Sequence, residues 1–250
     1  MRSPPIVLAF AASDPTGGAG AQADILTIAS LGCHPLSVIT ALTVQDTSGV
    51  DALLAIEAGW VERQARCVLK DMPVAAFKLG VLGSPQNIAI IAAILGEYPD
   101  VPVVVDPVLA SGRGDALSSE ESIIAMKKGV FPLTTVVTPN TLECERLGGV
   151  SSLLGLGCRF VLVTGTHADG VEVVNRLHDA GGLVREDRWR RLPGSYHGSG
   201  CTLASAIAAQ LAKGLELEAA VREAQEHTWN TLTAAFRPGA GQFLPNRFFQ

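Results

Sequence analysis

Residues 5–32, PIVLAFAASDPTGGAGAQADILTIASLG, decide the fold class. An apolar run from Pro5 to Ala12 gives way at Ser13-Asp14-Pro15 to a glycine-rich turn, which opens onto a longer amphipathic run ending at Gly32. A short apolar run followed by a longer amphipathic one reads as a buried strand and the helix that covers it, one β-α unit. The same alternation recurs as LSVITALTV (36–44) before EAGWVERQARCVLKD (57–71), and as VAAFKLGVL (74–82) before PQNIAIIAAILGEY (85–98). VPVVVDP (101–107), TTVVTP (134–139) and FVLVTG (160–165) continue the strand series. The repetition predicts a three-layer α/β/α domain with a mainly parallel central sheet. GVEVVNRLHDAGGLVREDRWRRL (170–192) breaks the rhythm with two polar, alternating runs joined at Ala180-Gly181-Gly182, which predicts an antiparallel hairpin at one sheet edge. Two helices follow, 200–214 and 216–236, with Gly214 at the stop position of the first. The Gly/Pro-rich tail from Pro238 reads as a loosely packed end, and no linker interrupts a single domain over 1–250.

The composition supports a buried core, with 48% hydrophobic and 17% charged residues in a chain of 250. A net charge of -5 argues against nucleic acid as a partner, because such binders carry a basic face. Any phosphate must therefore be held locally. The five cysteines (33, 67, 144, 158, 201) are odd in number and lack C-x-x-C spacing, as expected of reduced thiols in a cytoplasm. The first apolar run breaks too soon for a signal peptide, and no segment has the length of a membrane span, so no membrane association is expected.

In a parallel sheet, ligands sit at the carboxyl ends of the strands. The residues to read there are Ser13-Asp14, Gln45-Asp46, Lys78-Leu79-Gly80, Asp106-Pro107, Pro139-Asn140 and Thr164-Gly165-Thr166. Each taken alone is an ordinary turn or cap residue; together, all after strands, they outline a site. SDPTGGAGAQAD (13–24) is neither G-x-G-x-x-G, because Ala23 holds the last position, nor a phosphate loop of the Walker type, because no lysine follows Gly20. Asp24 reads either as a ligand-facing carboxylate or, preferred on spacing alone, as a solvated first-turn residue. Asp106 ends an apolar strand and precedes VLASGRGDAL (108–117), a glycine-bearing segment suited to a flap. Asn140 and Glu143 stand three apart at a helix start, where they either hold Mg²⁺ through water or form a capping box; capping is preferred on spacing alone.

HGSGC (197–201) carries more information. Gly198 and Gly200 flank Ser199 at the start of an apolar helix, so unpaired backbone N–H groups and the helix dipole converge into an anion hole. A thiol placed there is expected to have a lowered pKa, which makes Cys201 either a base or a polar contact, against the plainer reading of a packed cysteine.

Six ordered segments, AASDPTGGAGAQAD (11–24), SVITALTVQDT (37–47), KLGVLG (78–83), VVVDPV (103–108), TPNTLE (138–143) and HGSGCTLASAIAAQLAKG (197–214), closely resemble the hydroxymethylpyrimidine and phosphomethylpyrimidine kinases of thiamine synthesis, members of the ribokinase-like superfamily. The resemblance covers nearly the whole chain. It implies phosphoryl transfer from Mg-ATP to 4-amino-5-hydroxymethyl-2-methylpyrimidine and then to its monophosphate, by a cytoplasmic homodimer. By the same resemblance, Gln45 and Asp24 hold the aminopyrimidine edge, with Val81 and Val108 near the ring. Asp106, Asn140 and Glu143 organise Mg²⁺. Thr164, Gly165 and Thr166 lie near the nucleotide. Gly198, Ser199 and Gly200 receive the transferred phosphoryl group, and Cys201 stands where the sugar kinases carry an aspartate base. The chain departs from the family pattern at Thr164, where a lysine is usual; at Ala12, where glycine is usual; and in the flap, where Arg113 stands in for a lysine. Between Glu145 and Phe160 it also leaves little room for a helix that the family usually has. Two other functions remain, a pyridoxal kinase, against which Ser111 at the flap position of a trapping cysteine weighs, and a non-catalytic pyrimidine-binding regulator.

Overall fold

The computed structural model describes residues 3–111, 114–166 and 170–249. Its strands are β1 (Ile6–Ser13), β2 (His34–Gln45), β3 (Val50–Ala55), β4 (Ala76–Leu79), β5 (Val103–Val105), β6 (Val136–Val137), β7 (Phe160–Val163), β8 (Glu172–Asp179) and β9 (Gly182–Arg190). The helices are α1 (Gly20–Ser30), α2 (Ala58–Asp71), α3 (Pro85–Gly96), α4 (Glu120–Ala125), α5 (Thr141–Leu147), α6 (Val150–Gly155), α7 (Ser199–Ala212) and α8 (Leu217–Thr233). The strands form one sheet in the order β3-β2-β1-β4-β5-β6-β7-β8-β9. β2, β1, β4, β5, β6 and β7 run parallel. The expected hairpin is β8–β9, antiparallel to each other and to β7. The opposite edge is antiparallel as well, because β3 folds back on β2, so the sheet has antiparallel strands at both edges rather than one. β3 escapes the sequence pattern because it is short and largely exposed, with Asp51 near its start.

Strand periodicity divides the core in two. Alternate residues of a strand point to opposite faces, so Leu8 and Phe10 pack with Val61 of α2, Ile91 of α3 and Leu153 of α6, while Val7 packs with Ile28 of α1, Ile207 of α7 and Val221 of α8. α7 is the most enclosed helix. Thr202 through Gln210 are all buried, and the small side chains of Ala204, Ala206, Ala208 and Ala209 let α1, α8 and the sheet approach closely.

The tail is not loosely packed. Phe243 pairs beside Tyr196, Leu244 pairs with Phe236, and the Arg247 guanidinium is buried, donating to the carbonyls of Gly17 (3.4 Å) and Gly18 (2.6 Å) and to Thr202 Oγ1 (3.2 Å). The glycines and prolines after Pro238 carry the chain back across α7 and the first loop, which no local pattern foretells. In the segment between α5 and β7, α6 is a helix of 6 residues, consistent with the little room noted there.

Candidate active site

The carboxyl ends of the parallel strands open into one cleft of about 590 Å³. Its walls include Ser13 and Asp14 after β1, Gln45 of β2, Lys78 and Gly80 at β4, Asp106 after β5, Asn140 after β6 and Thr164 after β7. The N-terminus of α7 closes the middle. Gly198 caps that helix with φ +78°, and a side chain there would run into the Gly18 carbonyl. A side chain on Gly18 would in turn strike the His197 ring. These two glycines let the first loop and the helix start pack backbone against backbone. Among the described residues no side chain caps α7, so the N–H groups at Ser199 and Gly200 face the cleft with the positive end of the helix dipole behind them.

Asp14 holds this arrangement together. Its Oδ1 accepts from the Thr16 N–H (2.8 Å), and its Oδ2 accepts from the Ala19 N–H (2.7 Å) and the Thr16 hydroxyl (2.9 Å) and lies 2.7 Å from His197 Nε2. The end of the Gln45 amide lies 3.1 Å from the same ring nitrogen. Burial opposes the charge of Asp14, but the hydrogen bonds from His197 and Thr16 win and hold its carboxyl below the usual range. Gln22 completes the loop by accepting from the Asp14 N–H (2.9 Å) and donating to Ser13 Oγ (2.8 Å).

Beneath the cleft lies a buried charge cluster. Lys78 Nζ sits 2.7 Å from Asp24 Oδ1, both side chains fully buried, and Ser205 Oγ donates to that same oxygen (2.7 Å). The second oxygen, Asp24 Oδ2, is among the buried atoms left without a partner. Burial works against the Lys78 charge, yet Asp24, with Asp106 beyond it, keeps the ammonium above its usual pKa. The α1 register therefore corrects both expectations for Asp24. It is neither solvated nor on the cleft wall, because it sits in the second turn of the helix and points down onto β4.

Cys201 is corrected too. It lines the cleft at the helix start and hydrogen-bonds to Asp106, but burial pushes its thiol up to about 12 against the pull of Lys78, with the Asp106 and Asp24 charges adding to the rise. The helix dipole does not produce a standing thiolate here. Burial also pushes Asp106 up to about 6, against the pull of Lys78. Glu143 rises to about 7 for the same reason, with Asp106 adding to it. Asn140 and Glu143 do form a capping box: Asn140 Oδ1 accepts from the Glu143 N–H (2.9 Å), and Glu143 Oε2 accepts from the Asn140 N–H (3.0 Å). Glu143 Oε1 also accepts from the Leu109 N–H (3.2 Å).

Two carboxyls raised by burial and proximity suit a divalent cation. Among the described residues no group of three His, Cys, Asp or Glu side chains is placed to cage a metal. With Asn140, the two carboxyls are oxygen donors on the cleft wall, the ligand type a hard divalent cation takes when waters and a bound phosphate complete its shell. Val81, Val108, Thr164 and Thr166 line the cleft, whereas Gly165 does not; it packs against the Val174 backbone, where a Cβ has no room. Arg113 lies outside the described residues. Residues that the sequence reading did not single out are His197, Gln22, Trp189, Trp229, Gln225 and Arg247. His197 was within reach, since it adjoins the glycine pair. The tryptophans come from β9 and α8, 40 residues apart, and no spacing signal joins them.

A family profile described as phosphomethylpyrimidine kinase matches residues 14–246. A hydroxymethylpyrimidine/phosphomethylpyrimidine kinase of Streptomyces coelicolor is 39% identical over 96% of this chain and 93% of its own length. A crystal structure of phosphomethylpyrimidine kinase from Clostridium difficile superposes with a TM-score of 0.77 at 35% identity, covering 90% of this chain and 97% of that one. The pyridoxal kinase of Staphylococcus aureus in complex with ADP superposes with a TM-score of 0.89 at 25% identity, covering 99% and 94%.

Proposed function

The chain belongs to the phosphomethylpyrimidine kinase family, and from that premise we propose that its cleft transfers the γ-phosphoryl group of ATP to the hydroxymethyl oxygen of 4-amino-5-hydroxymethyl-2-methylpyrimidine, and then to the monophosphate. The observation that carries this reading is the uncapped α7 N-terminus, which turns its glycine backbone into a strand-end cleft lined by the Asp106 and Glu143 carboxyls and by Gln45, Val81 and Val108. Phosphoryl transfer asks little covalent chemistry of a protein and much positioning and charge stabilisation. The N–H groups of Ser199 and Gly200 answer the charge on the moving phosphoryl oxygens. Gln45 reads the aminopyrimidine edge, while Val81 and Val108 hold the ring.

Asp106 and Glu143, with Asn140 fixed in its cap, are the residues that would hold Mg²⁺. That ion, when bound, supplies charge neutralisation at the phosphates. Cys201 meets the alcohol as a neutral thiol, with Asp106 hydrogen-bonded behind it as the acceptor for a proton. A loose transition state, in which the alcohol proton leaves late, tolerates so weak a base. Thr164 and Thr166 border the nucleotide on the β7 side. In this reading residues 1–250 act as one kinase domain, in the cytoplasm, where the five cysteines stay free thiols. The exposed apolar pair Leu42 and Leu54, directly opposite on β2 and β3, supports a homodimer.

The test is a substrate panel with Mg-ATP, offering the pyrimidine alcohol, its monophosphate and pyridoxal, with products identified by mass spectrometry. Turnover of both pyrimidines is expected. Preference for pyridoxal would assign the chain to the other vitamin kinase, and tight pyrimidine binding without product would leave a binding protein.

A further inference from the structure

The order of the sheet gives the cleft two arms about the α7 N-terminus. Gln45 of β2 and, in the loops after β4 and β5, Val81 and Val108 lie on one side; Val173 of β8, Trp189 of β9, and Trp229 and Leu232 of α8 line the other. In-line transfer puts donor and acceptor on opposite sides of the moving phosphoryl group. With the acceptor ring in the first arm, the donor's base lies in the second, an assignment that rests on the kinase reading.

That second arm ends in two pinned indoles. The rings of Trp189 and Trp229 stand 6.3 Å apart between centroids at 32°. Each is fixed through its N–H: Trp189 Nε1 donates to Gln225 Oε1 (3.0 Å), and Trp229 Nε1 donates to the Arg190 carbonyl (3.0 Å). Gln225 is itself immobilised, accepting from Asn175 Nδ2 (2.8 Å) and donating to Asp187 Oδ2 (2.9 Å). The Arg222 guanidinium lies 5.3 Å over the Trp189 ring, whereas Trp229 is half-buried and lines the cleft beside Thr228 and Leu232 of its own helix. A rigid, half-buried aromatic face on a cleft wall is a stacking surface, since its ordering cost is already met by its own hydrogen bonds.

We propose that Trp229, backed by Trp189, is the platform on which the purine of the phosphoryl donor stacks, and that it makes this chain selective for purine over pyrimidine nucleotides. Stacking is worth most with the larger purine ring. The effect falls on donor affinity, because Trp229 touches neither the phosphates nor the acceptor.

The chain's third tryptophan, Trp60, is exposed on α2 outside the cleft, so Trp60→Phe leaves the two cleft indoles as reporters. Titrating W60F with ADP is expected to quench its fluorescence saturably, and adding Trp229→Ala is expected to remove most of that change. In steady state, W229A is expected to raise the KM for ATP about tenfold, leave kcat and the pyrimidine KM within about twofold, and erase the preference for ATP over CTP. Trp229→Phe, which keeps a ring, is expected to restore most of the affinity, and thermal melts separate a stacking loss from misfolding. An unchanged KM for ATP in folded W229A, or no ADP quenching in W60F, would overturn the proposal. If the parent enzyme phosphorylates no pyrimidine, the kinase reading fails instead, and ADP quenching still decides the role of Trp229.

Discussion

Lys78 and Asp24 show how a single residue's role depends on its partner. Each is a charge removed from water, acceptable because the other lies 2.7 Å away. Replacing Lys78 by Met leaves Asp24 buried and unpaired, which is expected to cost about 3–5 kcal/mol in urea unfolding. The double change Lys78→Met with Asp24→Asn should recover most of that loss, since it removes both charges together. Cys201 poses a different question. With its thiol pushed up to about 12, it is no standing base. Cys201→Ala is expected to lower kcat by no more than about 100-fold, the lower end of what a positioned acid–base group contributes, with little change in KM. A loss of several thousandfold, measured at saturating substrates, would show that deprotonation of this thiol is central.

Between elements, the contact of the first loop with the α7 cap sets the geometry. Gly198→Ala forces a Cβ against the Gly18 carbonyl at a backbone angle that favours glycine. Displacing the helix start by about 1 Å is expected to cut kcat about 100-fold while circular dichroism stays unchanged. The tail braces the same contact from outside. Arg247→Met leaves the Gly17 and Gly18 carbonyls without their buried donor and is expected to destabilise the fold by about 2 kcal/mol in thermal unfolding. It should also raise both substrate KM values, because that loop borders the cleft.

For the whole molecule, the pH dependence of stability has an identifiable contributor. His227 packs on Phe249 with its Nε2 buried and without a partner, and burial, helped by the Lys213 and Arg247 charges, lowers its pKa from 6.5 to about 4. Between those values the unfolded chain binds a proton that the folded chain refuses, so stability is full above about pH 6.5 and falls as the pH drops toward 4. The loss attributable to His227 approaches about 3 kcal/mol by pH 4. His227→Phe should flatten that part of a denaturation series between pH 7 and 4. An unchanged slope would place the acid sensitivity on other groups.

The parallel strands, most of the helices between them, the β8–β9 hairpin and the strand-end polar residues were legible in the sequence, while β3 and α4 were not. Each rests on local physics, the period of apolar residues and the backbone freedom of glycine, and HGSGC announced a glycine-bounded helix start for the same reason. The environment of each group was not legible. Burial at the junction of α1, β4 and α7 decided that Asp24 is a structural counter-ion and Cys201 a protonated thiol, and chain return brought Arg247 under the first loop and Trp189 beside Trp229. Desolvation and contacts between distant segments depend on what surrounds a residue in space, so these assignments belonged to the tertiary structure alone.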